Sequence, residues 1–264
     1  LREIIEPADI VIIATPSAFL VKLFENFPVE IFDGKTVFSA VKGIIPEYNA
    51  IPARFIHKTF GTPYDSIGII CGPCHAEEVA LEKLSYLTIA SSNKILAKKI
   101  ASKFMCSYIS AKTSDDVIGI EYASMLKNIY AIAAGIAHGL GYGDNFQSVL
   151  MSNAIREMKK YVKKIYKMKR DINGSAYLGD LLVTGYSTFS RNRMFGNMIG
   201  KGYTVNAAQM EMNMIAEGYY ASKSARYINS KYRTQTPIIE AVYLILYEGK
   251  RPENIFEKLT KKLD

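Results

Sequence analysis

The order of secondary-structure signals along the chain limits the possible folds most strongly. Up to about residue 112, short β-branched runs such as DIVIIATP alternate with amphipathic segments such as SAFLVKLFENF. Strands that alternate with helices favour a mostly parallel sheet. From about residue 113 to residue 264 only helical periodicity remains. The sequence therefore predicts an incomplete α/β domain over residues 1–112, followed by an all-helical domain over residues 113–264.

The predicted elements follow from these patterns. Strands are predicted at 9–16, 35–43, 66–73, 86–92 and 105–112, with helices at 17–27, from about 47, at 75–83 and at 94–104. Later helices are predicted at 116–138, 147–168, 191–200, 204–213, 218–231, 236–246 and 252–262. Only a short segment lies between Leu1 and the first predicted strand, and no G-x-G-x-x-G follows any predicted strand. We therefore expect that the natural start, with any dinucleotide phosphate loop, lies upstream.

The net charge of +8 favours anionic partners, such as nucleic acid, acidic lipid or phosphorylated metabolites. The basic run REMKKYVKKIYKMKR places Lys160, Lys163, Lys164 and Lys167 on one helical stripe. We interpret this stripe as a solvated face, because no nucleic-acid motif accompanies it. The longest apolar run is shorter than the roughly 18–20 residues of a membrane span. Three cysteines without a signal-peptide pattern predict a cytoplasmic location.

Two motifs have more than one interpretation. CGPC at Cys71–Cys74 has the spacing of a thioredoxin-type redox pair, and with His75 or Cys106 it suggests a metal site. We favour a tight strand-to-helix turn, because the rest of the chain does not follow a thioredoxin plan. HGLGYGDN resembles a dinucleotide loop but follows a helix, so we interpret it as a helix end and loop.

An ammonium and an amide stand side by side in a helix that is apolar on nearly every side. Within YASMLKNIYAIAAGIAHGLG, these residues are Lys127 and Asn128. Lys127 either extends towards solvent from one wet face or donates a proton in a partly desolvated site. Ala123, Ala131 and Gly135 share its helical row, and their small side chains predict room for a ligand above the ammonium.

A second candidate site begins a later helix. In GDLLVTGYSTFSRNRMFGNMIG, a Ser/Thr-rich loop is predicted to end at Ser190 and a helix to begin at Arg191. Backbone N–H groups of the first turn, with Arg191 and Asn192, are suited to binding a phosphate. The alternative is an ordinary Ser190 cap with exposed arginines. Asp180 is either a cap or a charge partner for a lysine.

Five blocks carry a family resemblance: AVKG, GPCHAEE, LKNIYAIAAGIAHGLGYGDN, GDLLVTGYSTFSRNRMFG and AEGYYASK. In this order they resemble the bacterial NAD(P)-dependent glycerol-3-phosphate dehydrogenases, over essentially the whole chain. The resemblance implies a Rossmann-type domain and a helical 6-phosphogluconate-dehydrogenase-like domain. It implies NAD or NADP as cofactor, and hydride transfer between dihydroxyacetone phosphate and sn-glycerol 3-phosphate, which supplies glycerophospholipid synthesis.

The same resemblance assigns roles to individual residues. The catalytic residues that it implies are Lys127 as proton donor and acceptor, with Lys42 and Asp180. The implied substrate contacts are Lys42, Gly72, Cys74, Lys127, Asn128, Asp180, Thr184, Ser190, Arg191 and Asn192. The implied cofactor contacts are Pro16, Lys42, Ala76, Arg191, Ile215 and Glu217.

Two departures from the family pattern stand out. The family often has Thr or Ser where this chain has Cys74, and a thiol donates a hydrogen bond more weakly than a hydroxyl. The glycine-rich loop is also absent from the chain, so we expect weak NAD(P)H binding by this piece. Three alternatives stay open: a related hydroxyacid or 6-phosphogluconate-type dehydrogenase, an inactive fragment or interaction module, and a thioredoxin-like reductase.

The expected partners follow from the same reasoning. We expect a small phosphorylated substrate, no nucleic acid and no integral membrane segment. The resemblance allows a homodimer, and neither the oligomeric state nor the choice between NAD and NADP follows from the sequence. No metal is expected.

Overall fold

The computed structural model describes residues 1–212, residue 214 and residues 216–264. The chain divides into two compact units, Leu1–Tyr122 and Ala123–Asp264. We refer to them as the sheet unit and the helical unit.

A single sheet organises the first unit. Within the described residues, five strands lie in the order β1-β2-β3-β4-β5. Their bounds are β1 Ile10–Ile13, β2 Thr36–Ser39, β3 Ile67–Cys71, β4 Ser85–Ser91 and β5 Ile109–Ser114. The pairs β1–β2, β2–β3 and β4–β5 are parallel, whereas β3–β4 is antiparallel. The mostly parallel α/β sheet predicted from the alternating pattern is confirmed.

Short helices precede and connect these strands. They are α1 Arg2–Ile5, α2 Leu20–Phe24, α3 Pro52–Phe60, α4 Ala76–Ala80 and α5 Lys94–Phe104, with 3-10 turns at Ser17–Phe19, Val29–Phe32 and Tyr64–Ser66. The predicted helix start near residue 47 is wrong, because the chain first turns back in a bridge between Ile45 and Ala50. Pro52 then begins α3, as suits a residue that has no N–H to donate in the first turn.

The second half is helical, as predicted. Its helices are α6 Val117–Gly139, α7 Asp144–Ile165, α8 Asp180–Tyr186, α9 Arg191–Gly200, α10 Val205–Glu211, α11 Glu217–Tyr232, α12 Pro237–Glu248 and α13 Pro252–Thr260. The predicted helices are present with modest shifts at their ends. The stretch before Ser190 was predicted as a loop, and this is wrong for residues 180–186, which form α8 after a π-helical turn at Ser175–Gly179. Among the described helices, none has the length and apolar character to span a membrane.

Helices α6 and α9 touch at their backbones. A Cβ added to Gly135 would lie 2.0 Å from the carbonyl oxygen of Arg193, and one added to Gly196 would lie 2.1 Å from that of Ile132. The prediction that Gly135 leaves room for a ligand is therefore wrong, because the backbone of α9 fills that space. This contact instead brings the first turns of α9 beside the middle of α6.

Each unit contains one buried glutamate that accepts hydrogen bonds from the start of a helix. In the sheet unit, the carboxylate oxygens of Glu121 accept from the backbone N–H of Ala53 at 3.2 and 3.1 Å. In the helical unit, Glu157 accepts from Ile238 at 2.9 Å and from Ile239 at 3.1 Å. Both recipient helices begin with a proline. These carboxyl groups replace the local side-chain caps that α3 and α12 lack.

Candidate active site

A buried ion pair occupies the middle of α6. Lys127 Nζ lies 2.5 Å from Asp180 Oδ1, and the two residues are only 4% and 2% exposed. The lysine therefore does not extend into bulk water, which was the alternative left open by its spacing. A buried ammonium needs a carboxylate close by, because the desolvation of an unpaired charge is very costly. Lys127 and Asp180 form one unit in which each side chain requires the other.

Helix α8, which the sequence did not predict, positions the carboxylate. Asp180 is the first residue of α8, and the hydroxyl of Thr184 donates to the Asp180 carbonyl oxygen at 2.6 Å. Asp180 Oδ2 is buried and accepts no hydrogen bond from any residue that the structure describes. A buried carboxylate oxygen in this state is suited to accept a hydrogen bond from a ligand hydroxyl.

The start of α9 offers donors for an anion. Ser190 is buried and caps the helix, with its Oγ accepting from the N–H of Arg193 at 3.3 Å. Arg191 is exposed, and its Nη1 lies 3.0 Å from Met214 Sδ, a weak acceptor that a phosphate can replace. The cap position predicted for Ser190 and the helix start at Arg191 are confirmed. A guanidinium at the start of a helix, where backbone N–H groups point along the axis, is suited to a phosphate.

One asparagine connects three helices. Asn192 Nδ2 donates to Asn128 Oδ1 at 3.0 Å, and Asn192 Oδ1 accepts from the backbone N–H of Gly218 at 2.8 Å. Asn128 and Asn192 are both buried. The structure thus brings the first turn of α9 to the residue that directly follows Lys127 in α6. Glu217, the first residue of α11, is partly buried beside Gly218.

Gly218 was not among the predicted site residues. A Cβ at this position would lie 2.5 Å from the carbonyl oxygen of Asn128, so only glycine fits. The available signal was a glycine in the first turn of a predicted helix. Glycine weakens a helix, so its presence there indicates a position where another backbone packs closely.

In the sheet unit, the parallel strands align a second group of predicted residues. Ile13 pairs with Ser39, and Ser39 pairs with Ile69. Three residues beyond each of these paired positions stand Pro16, Lys42 and Gly72. Because the carboxyl ends of parallel strands meet at one edge of a sheet, these residues follow the same edge. Lys42 Nζ donates to the Gly72 carbonyl oxygen at 3.3 Å, which agrees with this alignment.

The turn after β3 has the tight geometry predicted for CGPC. Gly72 has a φ of +117°, and a Cβ there would lie 2.6 Å from the Tyr86 carbonyl oxygen. Cys74 is partly buried, and Ala76 is exposed as the first residue of α4. The predicted strand-to-helix turn is confirmed. The loop predicted in HGLGYGDN is also confirmed, since α6 ends at Gly139 and Gly141 has a φ of +86°.

Models of one protein family match most of this chain. Residues 1–97 match the model of the NAD-dependent glycerol-3-phosphate dehydrogenase N-terminus, and residues 116–257 match that of its C-terminus. A glycerol-3-phosphate dehydrogenase [NAD(P)+] of Macrococcus caseolyticus is 36% identical over 244 residues, which are 92% of this chain and 73% of the relative. The chain belongs to the NAD-dependent glycerol-3-phosphate dehydrogenase family.

Further relatives agree with this family. A glycerol-3-phosphate dehydrogenase [NAD(P)+] of Chlorobium limicola is 34% identical over 95% of this chain and 75% of its own length. The crystal structure of a glycerol-3-phosphate dehydrogenase from Coxiella burnetii matches with a TM-score of 0.91 and 27% identity, covering 98% of this chain and 79% of that chain. The Rossmann-type sheet and helical second half expected from the resemblance are therefore confirmed.

The family implies a dinucleotide, and part of the chain fits one. The sheet edge with Pro16, Lys42 and Gly72 is the kind of edge where dinucleotides bind, and the backbone at Gly72 tolerates no side chain. The G-x-G-x-x-G that would hold the pyrophosphate does not occur in the chain. Of the other predicted cofactor contacts, Ala76 and Arg191 are exposed, whereas Ile215 lies outside the described residues.

Proposed function

We propose that the protein interconverts dihydroxyacetone phosphate and sn-glycerol 3-phosphate with NAD(P)H as the hydride source. One observation carries this proposal: the buried Lys127–Asp180 pair lies directly beside Asn128, whose side chain bonds Asn192 in the first turn of α9. A proton donor and a phosphate site held by one packed group of helices suit a small phosphorylated carbonyl compound. In this proposal residues 1–112 bind the cofactor and residues 113–264 bind the substrate.

Lys127 acts on the substrate oxygen at C2. As an ammonium it donates a proton to the oxygen on which negative charge develops as the carbonyl is reduced. In the oxidation of glycerol 3-phosphate the neutral amine accepts that proton back. Asp180 holds the amine in place, and its Oδ2 is suited to accept a hydrogen bond from a substrate hydroxyl. When bound, NAD(P)H would supply the hydride for the reduction, and NAD(P)+ would accept it in the oxidation.

The phosphate group is proposed to bind at the start of α9. The Arg191 guanidinium and the backbone N–H groups of the first turn donate to its oxygens, and Ser190 holds the turn. This contact fixes the distance of C2 from Lys127 without taking part in bond making. Thr184, Asn128 and Asn192 are proposed as further substrate-side residues.

In the sheet unit, the cofactor is proposed to follow the edge with Pro16, Lys42 and Gly72. Ala76, Arg191, Ile215 and Glu217 are proposed from the resemblance as further cofactor contacts. The roles of Lys42, Gly72 and Cys74 in substrate binding are proposed from the resemblance. The protein is further proposed to act in the cytoplasm, to supply glycerophospholipid synthesis, to form a homodimer and to bind no nucleic acid. The excess positive charge fits two anionic ligands.

An assay of the purified protein tests this function. Oxidation of NADH and of NADPH is followed with dihydroxyacetone phosphate, and the product is identified by its stereochemistry. We expect turnover that depends on dihydroxyacetone phosphate and yields sn-glycerol 3-phosphate. Preferential turnover of 6-phosphogluconate or a 2-hydroxy acid with NAD(P)+ would instead support a related dehydrogenase. Cofactor binding, measured separately by NAD(P)H fluorescence, shows whether any inactivity arises from the missing glycine-rich loop.

A further inference from the structure

A buried serine hydroxyl in α6 forms no hydrogen bond within the part of the chain that the structure describes. Ser124 is only 2% exposed, and its Oγ atom is buried and has no partner among the described residues. A serine inside a helix commonly donates to a carbonyl oxygen of the preceding turn, which this hydroxyl does not do. Because buried polar groups are nearly always paired in folded proteins, the hydroxyl is suited to a partner from outside the chain. Ser124 was not among the predicted site residues.

The helical spacing places Ser124 beside the proposed proton donor. Lys127 and Asn128 follow Ser124 by three and four residues, so all three lie on one face of α6. Around the helix axis, Lys127 is about 60° to one side of Ser124 and Asn128 is about 40° to the other. Helical side chains lean towards the N-terminus, so the side chains of Lys127 and Asn128 lie over the turn that contains Ser124.

The packing of α9 against α6 begins one turn after Ser124. The side chain of Asn192 bonds that of Asn128, and one turn later Gly196 packs against the carbonyl oxygen of Ile132. The two helices therefore run in the same direction, and α9 starts beyond the turn of Ser124. On the other side of Ser124, the buried ion pair joins α6 to the first residue of α8. The hydroxyl thus lies between the ion pair and the first turn of α9, where the substrate is proposed to bind.

We infer that the Ser124 hydroxyl binds the C1 hydroxyl of dihydroxyacetone phosphate, and so distinguishes this substrate from phosphorylated ketones that lack it. This inference rests on the proposed function. C1 is bonded directly to C2, where Lys127 acts, so its hydroxyl lies within reach of a group one turn before Lys127. A hydroxyl accepts one hydrogen bond while it donates another. The C1 hydroxyl accepts from Ser124 Oγ and donates to Asp180 Oδ2, a second buried oxygen without a partner among the described residues.

A pair of substrates that differ only in this hydroxyl tests the inference. Hydroxyacetone phosphate is dihydroxyacetone phosphate without the C1 hydroxyl, and the wild type should reduce it with a kcat/KM at least about a hundredfold lower. Ser124→Ala should lower kcat/KM for dihydroxyacetone phosphate by about tenfold and change that for hydroxyacetone phosphate by less than about twofold. In the control Ser222→Ala, the lost hydroxyl already donates to the Tyr219 carbonyl oxygen at 2.8 Å, so the preference should not change. Equal losses for both ketones in Ser124→Ala, or no loss for either, would overturn the inference.

Urea unfolding of the ligand-free protein tests the unpaired hydroxyl without any turnover. Ser124→Ala removes no hydrogen bond within the chain, so it should unfold at the wild-type urea concentration or at a higher one. A clear loss of stability would show that the hydroxyl has a structural partner, such as an ordered water, and would contradict the inference.

Calorimetry with sn-glycerol 3-phosphate measures binding alone. Its dissociation constant should rise by about tenfold in Ser124→Ala, whereas that of propane-1,2-diol 1-phosphate, which lacks the C1 hydroxyl, should stay the same. If the wild type reduces neither ketone and binds neither phosphate, the proposed function fails and the inference fails with it. If the wild type reduces dihydroxyacetone phosphate but Ser124→Ala affects both ketones and both phosphates alike, only the role of Ser124 is rejected.

Discussion

The two lysines proposed to act on the substrate have very different surroundings. Lys127, in the helical unit, is buried on a long helix with the Asp180 carboxylate at 2.5 Å. Lys42, in the sheet unit, is half-buried after β2 and donates to the Gly72 carbonyl oxygen at 3.3 Å. A buried ion pair fixes both partners in one geometry, whereas a long bond to a neutral carbonyl is easily exchanged for an anion. Lys127 is therefore held in place before any ligand binds, whereas the observed contact of Lys42 can be replaced by ligand binding.

The first test of this difference is stability. Asp180→Asn leaves the Lys127 ammonium buried without a carboxylate, and we expect the free energy of unfolding to fall by about 3–5 kcal/mol. Urea unfolding followed by circular dichroism measures this change. Lys42→Met should change the same quantity by less than about 0.5 kcal/mol, because the Lys42 side chain is only half-buried. Equal losses in the two variants would remove the contrast.

Activity gives the second test. Lys127→Ala should lower kcat for dihydroxyacetone phosphate reduction by at least about a hundredfold, since the proton donor is lost. The rate is measured as NADH oxidation at saturating substrate, on protein shown to be folded by circular dichroism. Turnover within a few-fold of the wild type would reject Lys127 as the donor.

The sheet unit and the helical unit each contain a buried glutamate whose pKa is raised. Burial raises the pKa of Glu121 and the pKa of Glu157 from 4.5 to about 8. The hydrogen bonds that the two side chains accept from backbone N–H groups oppose this rise and lower the pKa. The folded state therefore binds these protons more tightly than the unfolded state. The associated stability is complete below pH 4.5 and is lost as pH rises towards 8.

We expect the free energy of unfolding to fall by about 1.4 kcal/mol per pH unit for each glutamate between about pH 5 and 8. Urea titrations across this range measure the slope. A glutamine at position 157 cannot titrate, so Glu157→Gln should reduce the dependence of the free energy of unfolding on pH. Glu121→Gln should reduce it for the same reason. A slope unchanged by both substitutions would show that these carboxyls are ionised in the folded protein.

The smallest expected effect concerns Lys42. Lys42→Met should raise KM for dihydroxyacetone phosphate by about tenfold, because one ammonium near an anionic ligand is lost. This penalty should shrink as salt concentration rises, since a half-exposed charge is screened. Steady-state kinetics at two ionic strengths measure this rise in KM. A fall in kcat that does not depend on salt would instead give Lys42 a role in the chemical step, as proposed for Lys127.

Local sequence signals were sufficient to predict part of the candidate active site. The Ser190 cap and the start of α9 at Arg191 follow from residues that are adjacent in the chain. Helix α8 was missed because glycines and β-branched residues in GDLLVTGYSTFS weaken the helical signal, and tertiary contacts overrule it. The partners of Lys127, Asn192 and Glu157 lie 53, 64 and 81 residues away in the chain, so a single sequence cannot specify them.

The central claim, that the Lys127–Asp180 pair serves catalysis, is tested most directly in Lys127→Met/Asp180→Asn. This double variant removes both charges of the pair together, so it should unfold at nearly the wild-type urea concentration. Its reduction of dihydroxyacetone phosphate by NADH should nevertheless be at least about a hundredfold slower than that of the wild type. A folded double variant that turns over at nearly the wild-type rate would contradict the account and make the pair a purely structural feature.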